Sequence, residues 1–239
     1  MEWIYWLFLV FALIYEPIFG YRDYQKFKRK VKTDGLARIG YYKSTMAGLW
    51  IPAGLILVLA ASTELTLGQI GLSFVTLKTE IFGSFLTYLA LTGMIVYALV
   101  IVGILIGSKF SFKLRNSMEK AKKQELHKSS FGDILPTNRQ EKKMWTYVSI
   151  TAGITEEILY RGFLIFALGS LFPGASIWFS ILTASLLFGL AHTYQGFIGV
   201  MRTTLIGIWF TVVYLAAGSI LPLIAFHALV DYFGKINEE

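Results

Sequence analysis

The sequence contains no cysteine, and it has few charged residues for a chain of 239 residues. Without cysteine there are no disulfide bonds, no zinc sites built from thiolates and no cysteine nucleophile. Only 15% of the residues are charged, whereas 55% are hydrophobic, and the mean hydropathy is +0.59. This composition is too apolar for a soluble domain of this size. It predicts an all-α, polytopic transmembrane helix bundle.

Basic side chains gather in two segments that separate apolar runs. Residues 21–43 contain eight Lys or Arg and two Asp, and residues 109–143 contain ten Lys or Arg. In a soluble protein the net charge of +7 would suggest a nucleic-acid partner. In a membrane protein the same clustering marks cytoplasmic loops and attracts anionic lipid. We therefore expect membrane lipid as a partner and no nucleic acid.

Seven apolar segments predict about seven spans, with the N-terminus outside and the C-terminus inside. The first lacks a basic n-region and a small-residue cleavage site, so we interpret it as a retained helix. Residues 110–126 mix aromatic and basic side chains, which fits an interfacial helix and a solvated linker equally well. Thr137 or Asn138 with Glu141 predicts the start of the fourth helix. The predicted spans are residues 3–20, 44–62, 81–107, 144–172, 175–192, 203–217 and 220–233.

Three ionisable residues lie inside the fourth predicted span: Glu156, Glu157 and Arg161. Each charge at the centre of a bilayer costs about 3 kcal/mol on insertion scales, so three in six residues need a reason. Glu157 and Arg161 are four residues apart on a helix and can pair, which favours a supporting role. Glu156 is rotated by about 100° from Glu157 and has no partner in its own helix except Tyr160. We interpret Glu156 as a general base or acid.

Two later apolar segments carry one histidine each. His192 follows Phe188 by four residues, and His227 precedes Asp231 by four residues. Asp231 can accept a hydrogen bond from the imidazole and fix its tautomer, or it can stabilise the imidazolium. Taken singly, an interfacial histidine and a structural His–Asp bond are the plainer readings. The third histidine lies in the basic loop, at residue 127, and we expect no catalytic role for it.

A glutamate and two histidines on three helices can activate water in two ways. Glu156 and His192 can hold a water and take its proton, while His227 stabilises the oxyanion. Alternatively, the same three side chains can hold a divalent metal, since two histidines and one carboxylate form a common zinc site. The residues alone leave both open. The chain has no His-Glu-x-x-His and no Gly-x-Gly-Asp motif, so the zinc and aspartyl intramembrane proteases fit poorly.

The three motifs occur in a recognisable order. They are Glu156-Glu157-x-x-x-Arg161, then Phe188-x-x-x-His192, then His227-x-x-x-Asp231. With this set the sequence resembles the CAAX protease and bacteriocin-processing family of glutamic intramembrane proteases, in its bacterial branch. The resemblance covers about residues 131–233. It divides the chain into residues 1–130, with three spans and two basic cytoplasmic loops, and residues 131–235, a catalytic helix bundle.

The resemblance assigns a role to each of these residues. Glu156 and His192 activate water, and His227 with Asp231 serves the oxyanion side. Glu157, Arg161 and Phe188 support them, and no metal is implied. Because an ionised aspartate cannot donate a hydrogen bond, we expect Asp231 to orient and charge His227.

The expected activity is that of an intramembrane endopeptidase in a bacterial plasma membrane. It would hydrolyse peptide bonds of a membrane-presented peptide or protein, with the site open toward the cytoplasm. A peptide precursor is expected as substrate, and a prenylated protein is not. The alternatives are a non-catalytic membrane protein for bacteriocin immunity or envelope scaffolding, and a transporter or proton relay. A proton relay predicts charges spread along a path and often repeated halves, and neither is present.

Overall fold

The computed structural model describes residues 2–118, 120 and 131–233, and within these ranges every regular element is helical. The all-α prediction is confirmed. A π-helical segment, Phe11–Tyr15, lies inside the first helix, and another, Glu157–Phe163, joins the fourth to the fifth. The helices are α1 (Glu2–Lys30), α2 (Ala37–Ser62), α3 (Gly83–Phe110), α4 (Arg139–Glu156), α5 (Leu164–Leu171), α6 (Ile177–Ala191), α7 (Gly196–Ala217) and α8 (Leu221–Phe233).

Four helices of the described part are long and apolar enough to cross a membrane. They are α1, α2, α3 and α7 together with the 3-10 turn that precedes it. Helices α6 and α8 are apolar but shorter. Each of the seven predicted spans coincides with a helix or, for the fourth, with the continuous α4–π–α5 segment. The count of seven spans and their orientation stay predictions.

Helices α1 to α3 present apolar side chains outward. Only 22%, 22% and 17% of the residues in their most apolar windows are buried. Exposed apolar surface of this extent indicates contact with lipid or another apolar partner, and lipid fits helices of this length. The exposed side chains include Trp3, Leu7, Leu55, Val58, Leu89 and Leu99.

The prediction of a loop over residues 21–43 is wrong for most of that range. Helix α1 continues to Lys30, and α2 begins at Ala37. Lysine and arginine are good helix formers, so a basic composition does not end a helix. Tyr24 and Phe27 are also buried in a small apolar cluster, and this burial stabilises the extension of the helix. At 1.5 Å per residue α1 is about 43 Å long, so its basic end extends beyond a hydrocarbon layer of about 30 Å.

The second basic segment is described only in part. Residues 112–118 are helical, in agreement with the interfacial-helix reading for that stretch. Its location relative to a membrane stays a prediction. Residues 121–130 lie outside the described residues, and His127 is among them.

The start of α4 is capped as predicted. Asn138 Oδ1 accepts the backbone N–H of Glu141 at 2.9 Å, and Glu141 Oε2 accepts the backbone N–H of Thr137 at 2.7 Å. Glu141 is buried and also faces Arg38 of α2, with 3.7 Å between Arg38 Nη1 and Glu141 Oε1. Arg38 Nε donates in turn to the carbonyl of Asp133 at 2.9 Å. The N-terminal end of α4 is thereby fixed against α2.

The core surrounds the joined helices α4 and α5. One continuous cluster of buried apolar side chains includes residues from both the N-terminal three helices and the C-terminal part. Its members share almost complete burial. They include Tyr5, Leu9, Ile56, Phe163, Leu164, Leu168 and Leu223.

The segment between α2 and α3 covers one end of the bundle. The backbone N–H of Thr76 donates to the carbonyl of Ala217, and that of Ile220 donates to the carbonyl of Gly71, both at 2.9 Å. Gly218 turns the chain from α7 to α8 with φ of 63°, a left-handed conformation that favours glycine. The segment between α2 and α3 is thereby fixed against the turn between α7 and α8.

Candidate active site

Helices α4 and α8 approach so closely that only glycine fits between them at one point. A Cβ atom on Gly153 would lie 2.8 Å from the carbonyl oxygen of Ile224 and 2.9 Å from the backbone nitrogen of Ala228. Small residues at helix crossings allow such close approach in membranes. About one turn further along the chain, Glu157, the first residue of the π-helical segment, meets His227 of α8.

Glu157 joins two partners in the interior. Its Oε1 accepts from Arg161 Nη1 at 2.9 Å and from His227 Nδ1 at 2.7 Å. The pairing of Glu157 with Arg161 is confirmed, and both side chains are almost fully buried. The bond to His227 was not predicted. Since Nδ1 donates to Glu157, the imidazole is held with Nε2 directed to other groups.

The Nε2 atom of His227 faces two further carboxylates. Glu156 Oε2 and Asp231 Oδ2 each lie 3.7 Å from it. These distances exceed a hydrogen bond but fit an ion pair when the imidazole is protonated. The imidazole donates its direct hydrogen bond to Glu157 and not to Asp231, so the expectation that Asp231 fixes the tautomer of His227 is corrected. The other expected role of Asp231, stabilising the imidazolium, fits the 3.7 Å distance. An imidazolium at residue 227 would have three carboxylates around it.

His192 ends α6, and its ring is oriented by its own helix. Its Nδ1 donates to the carbonyl of Phe188 at 2.8 Å, so Nε2 keeps a lone pair and can accept a proton. Within the described residues, no contact of 4.0 Å or less joins His192 to Glu156 as an ion pair. The two groups that were expected to share a water are therefore not in direct contact.

The ring of Phe188 lies at the centre of the site. Its centroid is 4.9 Å from the ring of His192 and 6.2 Å from that of His227. The guanidinium carbon of Arg161 lies 4.0 Å from the Phe188 centroid, a cation–π contact. Tyr160 meets the same ring edge-on at 5.0 Å. Phe188 thus brings both histidines and the Glu157–Arg161 pair to one aromatic surface.

Exposure rises from the interior toward Asp231. The exposed fraction of the side chain is 0% for Glu157, 9% for His227, 14% for Glu156 and 34% for Asp231. The carbonyl of Asp231 accepts from Trp145 Nε1 at 2.8 Å, near the start of α4. The site therefore opens at the end of the bundle where α4 begins and α8 finishes.

One carboxylate near the site was missed in the sequence. The hydroxyl of Tyr160, the one group in its own helix that was considered as a partner for Glu156, donates instead to Glu16 Oε2 of α1. A signal was present, because Glu16 is an ionisable residue inside the first apolar run. No spacing rule connects two residues that are 144 positions apart, so its partner was not predictable.

The side chains of the site also bear on the metal-bound alternative. Among the described residues, no three His, Asp or Glu side chains are grouped in a way that could hold a metal ion.

Comparison with known proteins concerns the C-terminal part of the chain. Residues 139–233 match the Rce1-like family. The description of this family model is type II CAAX prenyl endopeptidase Rce1-like, and the matched range contains all three motifs. The resemblance drawn from the motifs is thereby confirmed for these residues, which are less than half of the chain. No curated protein and no solved structure matches.

The match supports a coarse functional assignment. A CAAX-type intramembrane protease is a hydrolase that acts on a peptide or protein substrate. The apolar helices agree with a membrane location for such a protein.

Proposed function

We propose that the protein is an intramembrane endopeptidase that hydrolyses peptide bonds with water activated by Glu156 and His192. The observation that carries this proposal is the arrangement at His227. Buried Glu157 holds one nitrogen of the imidazole, while Glu156 and Asp231 face the other. A buried cluster of this kind inside an apolar bundle is costly and suggests function.

The proposed reaction begins with a water in the space between Glu156 and Nε2 of His192. Glu156 takes a proton from this water as its oxygen attacks the carbonyl carbon of the peptide. His192 Nε2 accepts a hydrogen bond from the same water and orients it, because Nδ1 is already committed to Phe188. The tetrahedral intermediate then breaks its C–N bond, and Glu156 returns the proton to the leaving amine.

In this proposal His227 stabilises the negative charge of the tetrahedral intermediate. Its Nε2 donates to the oxyanion when the imidazole is protonated. Glu157 fixes the ring through Nδ1, and Asp231 favours the charged form from the open side. Arg161 supports Glu157 and does not contact the reacting atoms.

The proposed substrate is a membrane-presented peptide or small protein, with a peptide precursor preferred. The family description names a prenyl endopeptidase, so a prenylated CAAX peptide is the comparison substrate. The proposed setting is a multi-pass protein in the lipid of a bacterial plasma membrane. Because the site opens at the end that carries basic residues 21–43, it would face the cytoplasm.

The proposed mechanism needs no metal or other cofactor. The alternative, a divalent ion held by Glu156, His192 and His227, predicts loss of activity after dialysis against EDTA and recovery with zinc. A carboxylate mechanism predicts an unchanged rate after the same treatment.

The deciding experiment compares the peptides in membranes of cells that express wild type or Glu156→Gln at matched levels. Gln keeps the size and polarity of Glu156 but removes the base. Glu64→Gln, at an exposed position between α2 and α3, is the matched control. An uncut precursor that accumulates only with Glu156→Gln supports the proposal and identifies the substrate. Identical profiles, together with a phenotype on deletion, would replace it with the non-catalytic immunity or scaffold role.

A further inference from the structure

Glu16 adds a fourth carboxylate near the site, and it comes from outside the matched residues. Glu16 belongs to α1, a candidate membrane span, and its side chain is half-buried. Within the described ranges no Lys or Arg lies within ion-pair distance of its carboxylate. A carboxylate in this position has a high free-energy cost without compensating contacts.

The compensating contact is the hydroxyl of Tyr160, which donates to Glu16 Oε2. Tyr160 lies in the π-helical segment, four residues after Glu156, and is almost fully buried. Its ring packs edge-on against Phe188, at 5.0 Å between centroids and 68° between planes. The Glu16 and Tyr160 side chains both lie near enough to Glu156 to interact with its charge.

Helix α1 is fixed at this level by a second contact. The hydroxyl of Thr193 donates to the carbonyl of Pro17 at 2.9 Å, and Thr193 directly follows His192. Immediately before Glu16, α1 contains its π-helical segment. Such segments are frequent at functional sites, where they change the direction in which side chains point. Glu16 is therefore connected to both proposed water-activating groups. Tyr160, one turn after Glu156, bonds Glu16 itself, and Thr193, next to His192, bonds the neighbouring Pro17.

We propose that Glu16 is a positioning residue of the peptidase, which holds Tyr160 against Phe188 and thereby sets the separation of Glu156 and His192. The inference rests on the proposed function. An aromatic ring without the hydroxyl would fill the same space, so packing alone needs neither the hydroxyl nor the carboxylate. Fully satisfied buried polar pairs fix one arrangement of the side chains around them.

The test is a double-mutant cycle on the full chain in lipid vesicles. The variants are Glu16→Ala, Tyr160→Phe and the double variant, with Glu64→Ala and Tyr88→Phe as exposed controls. The probe is an internally quenched peptide that carries the cut site found by the Glu156→Gln comparison. We expect each single variant to lower kcat roughly 10- to 100-fold with KM nearly unchanged, because misplacement of a catalytic group by about 1 Å has such an effect.

The double variant distinguishes positioning from general weakening of the fold. We expect its kcat to be no lower than that of the more damaged single variant, because the residues act through one hydrogen bond. Glu16→Gln keeps an acceptor of the same length and should retain more of kcat than Glu16→Ala. Additive losses, equal losses in Gln and Ala, or a wild-type rate for Glu16→Ala would overturn the proposal. If Glu156→Gln leaves cleavage intact, the endopeptidase proposal itself fails, and this inference with it.

Discussion

The imidazole of His227 is held by Glu157, whose Oε1 accepts from Nδ1 at 2.7 Å in the interior of the bundle. The same oxygen accepts from Arg161 at 2.9 Å. One carboxylate thus connects α8 to the π-helical segment and determines which nitrogen of the imidazole is directed to Glu156. Glu157 therefore holds two helical elements together, and under the proposed function it also orients His227. The two effects are separable.

Removal of Glu157 alone should damage stability and activity together. Glu157→Leu leaves Arg161 buried without its partner, which costs about 3–5 kcal/mol. We expect a lower thermal midpoint, measured in detergent, and no detectable cleavage. In the variant Glu157→Leu with Arg161→Met, both charges are absent, so stability should largely return while cleavage stays undetectable. Recovery of cleavage in the double variant would show that Glu157 has no part in orienting His227.

Gly153 should tolerate no side chain. Gly153→Ala places a Cβ atom 2.8 Å from the carbonyl oxygen of Ile224, so α4 and α8 must separate. Overpacking of this kind costs about 1–3 kcal/mol. We expect a lower thermal midpoint and a kcat reduced at least tenfold, since the separation also moves Glu157 from His227. Gly169→Ala in α5, where no atom lies within 4 Å of the added Cβ, should behave as wild type.

Phe188 should affect both histidines through one ring. Phe188→Leu removes the aromatic face beneath Arg161, a contact worth about 2 kcal/mol when desolvated, and the ring contacts of His192 and His227. We expect kcat to fall more than KM rises, together with a lower thermal midpoint. The matched control is Phe85→Leu, at an exposed position of α3. A stable Phe188→Leu protein with a normal kcat would contradict the central role of this ring.

Asp231 should be the most tolerant member of the cluster. Its carboxylate lies 3.7 Å from His227 Nε2 and is one-third exposed, so solvent weakens the ion pair to about 1 kcal/mol or less. We expect Asp231→Asn to retain cleavage within about tenfold of wild type, a factor that corresponds to about 1.4 kcal/mol. Asp231→Leu should lose more, because it also removes the polar side chain at the opening. A loss far beyond tenfold in Asp231→Asn would show that the negative charge is essential.

Local sequence patterns predicted those features that depend on one segment. Apolar runs predicted the helices, because a run of that length can bury its backbone polar groups only by forming a helix in lipid. The spacing of four residues predicted the pair of Glu157 and Arg161, and the cap at Asn138 was visible in the same way. The prediction of a loop from the basic composition of residues 21–43 was wrong for most of that range. Charge indicates the side of the membrane and not the end of a helix.

Contacts between helices could be identified only from the tertiary structure. An all-α apolar chain, the order of its motifs and the residues proposed for the chemistry all follow from the sequence alone. The bond of His227 to Glu157 and the bond of Tyr160 to Glu16 both depend on the tertiary structure. They form because of how α1, α4 and α8 are rotated and how closely these helices pack. That geometry results from many side-chain contacts over the whole bundle, with Gly153 permitting the closest one. Spacing along a single helix contains no information about it.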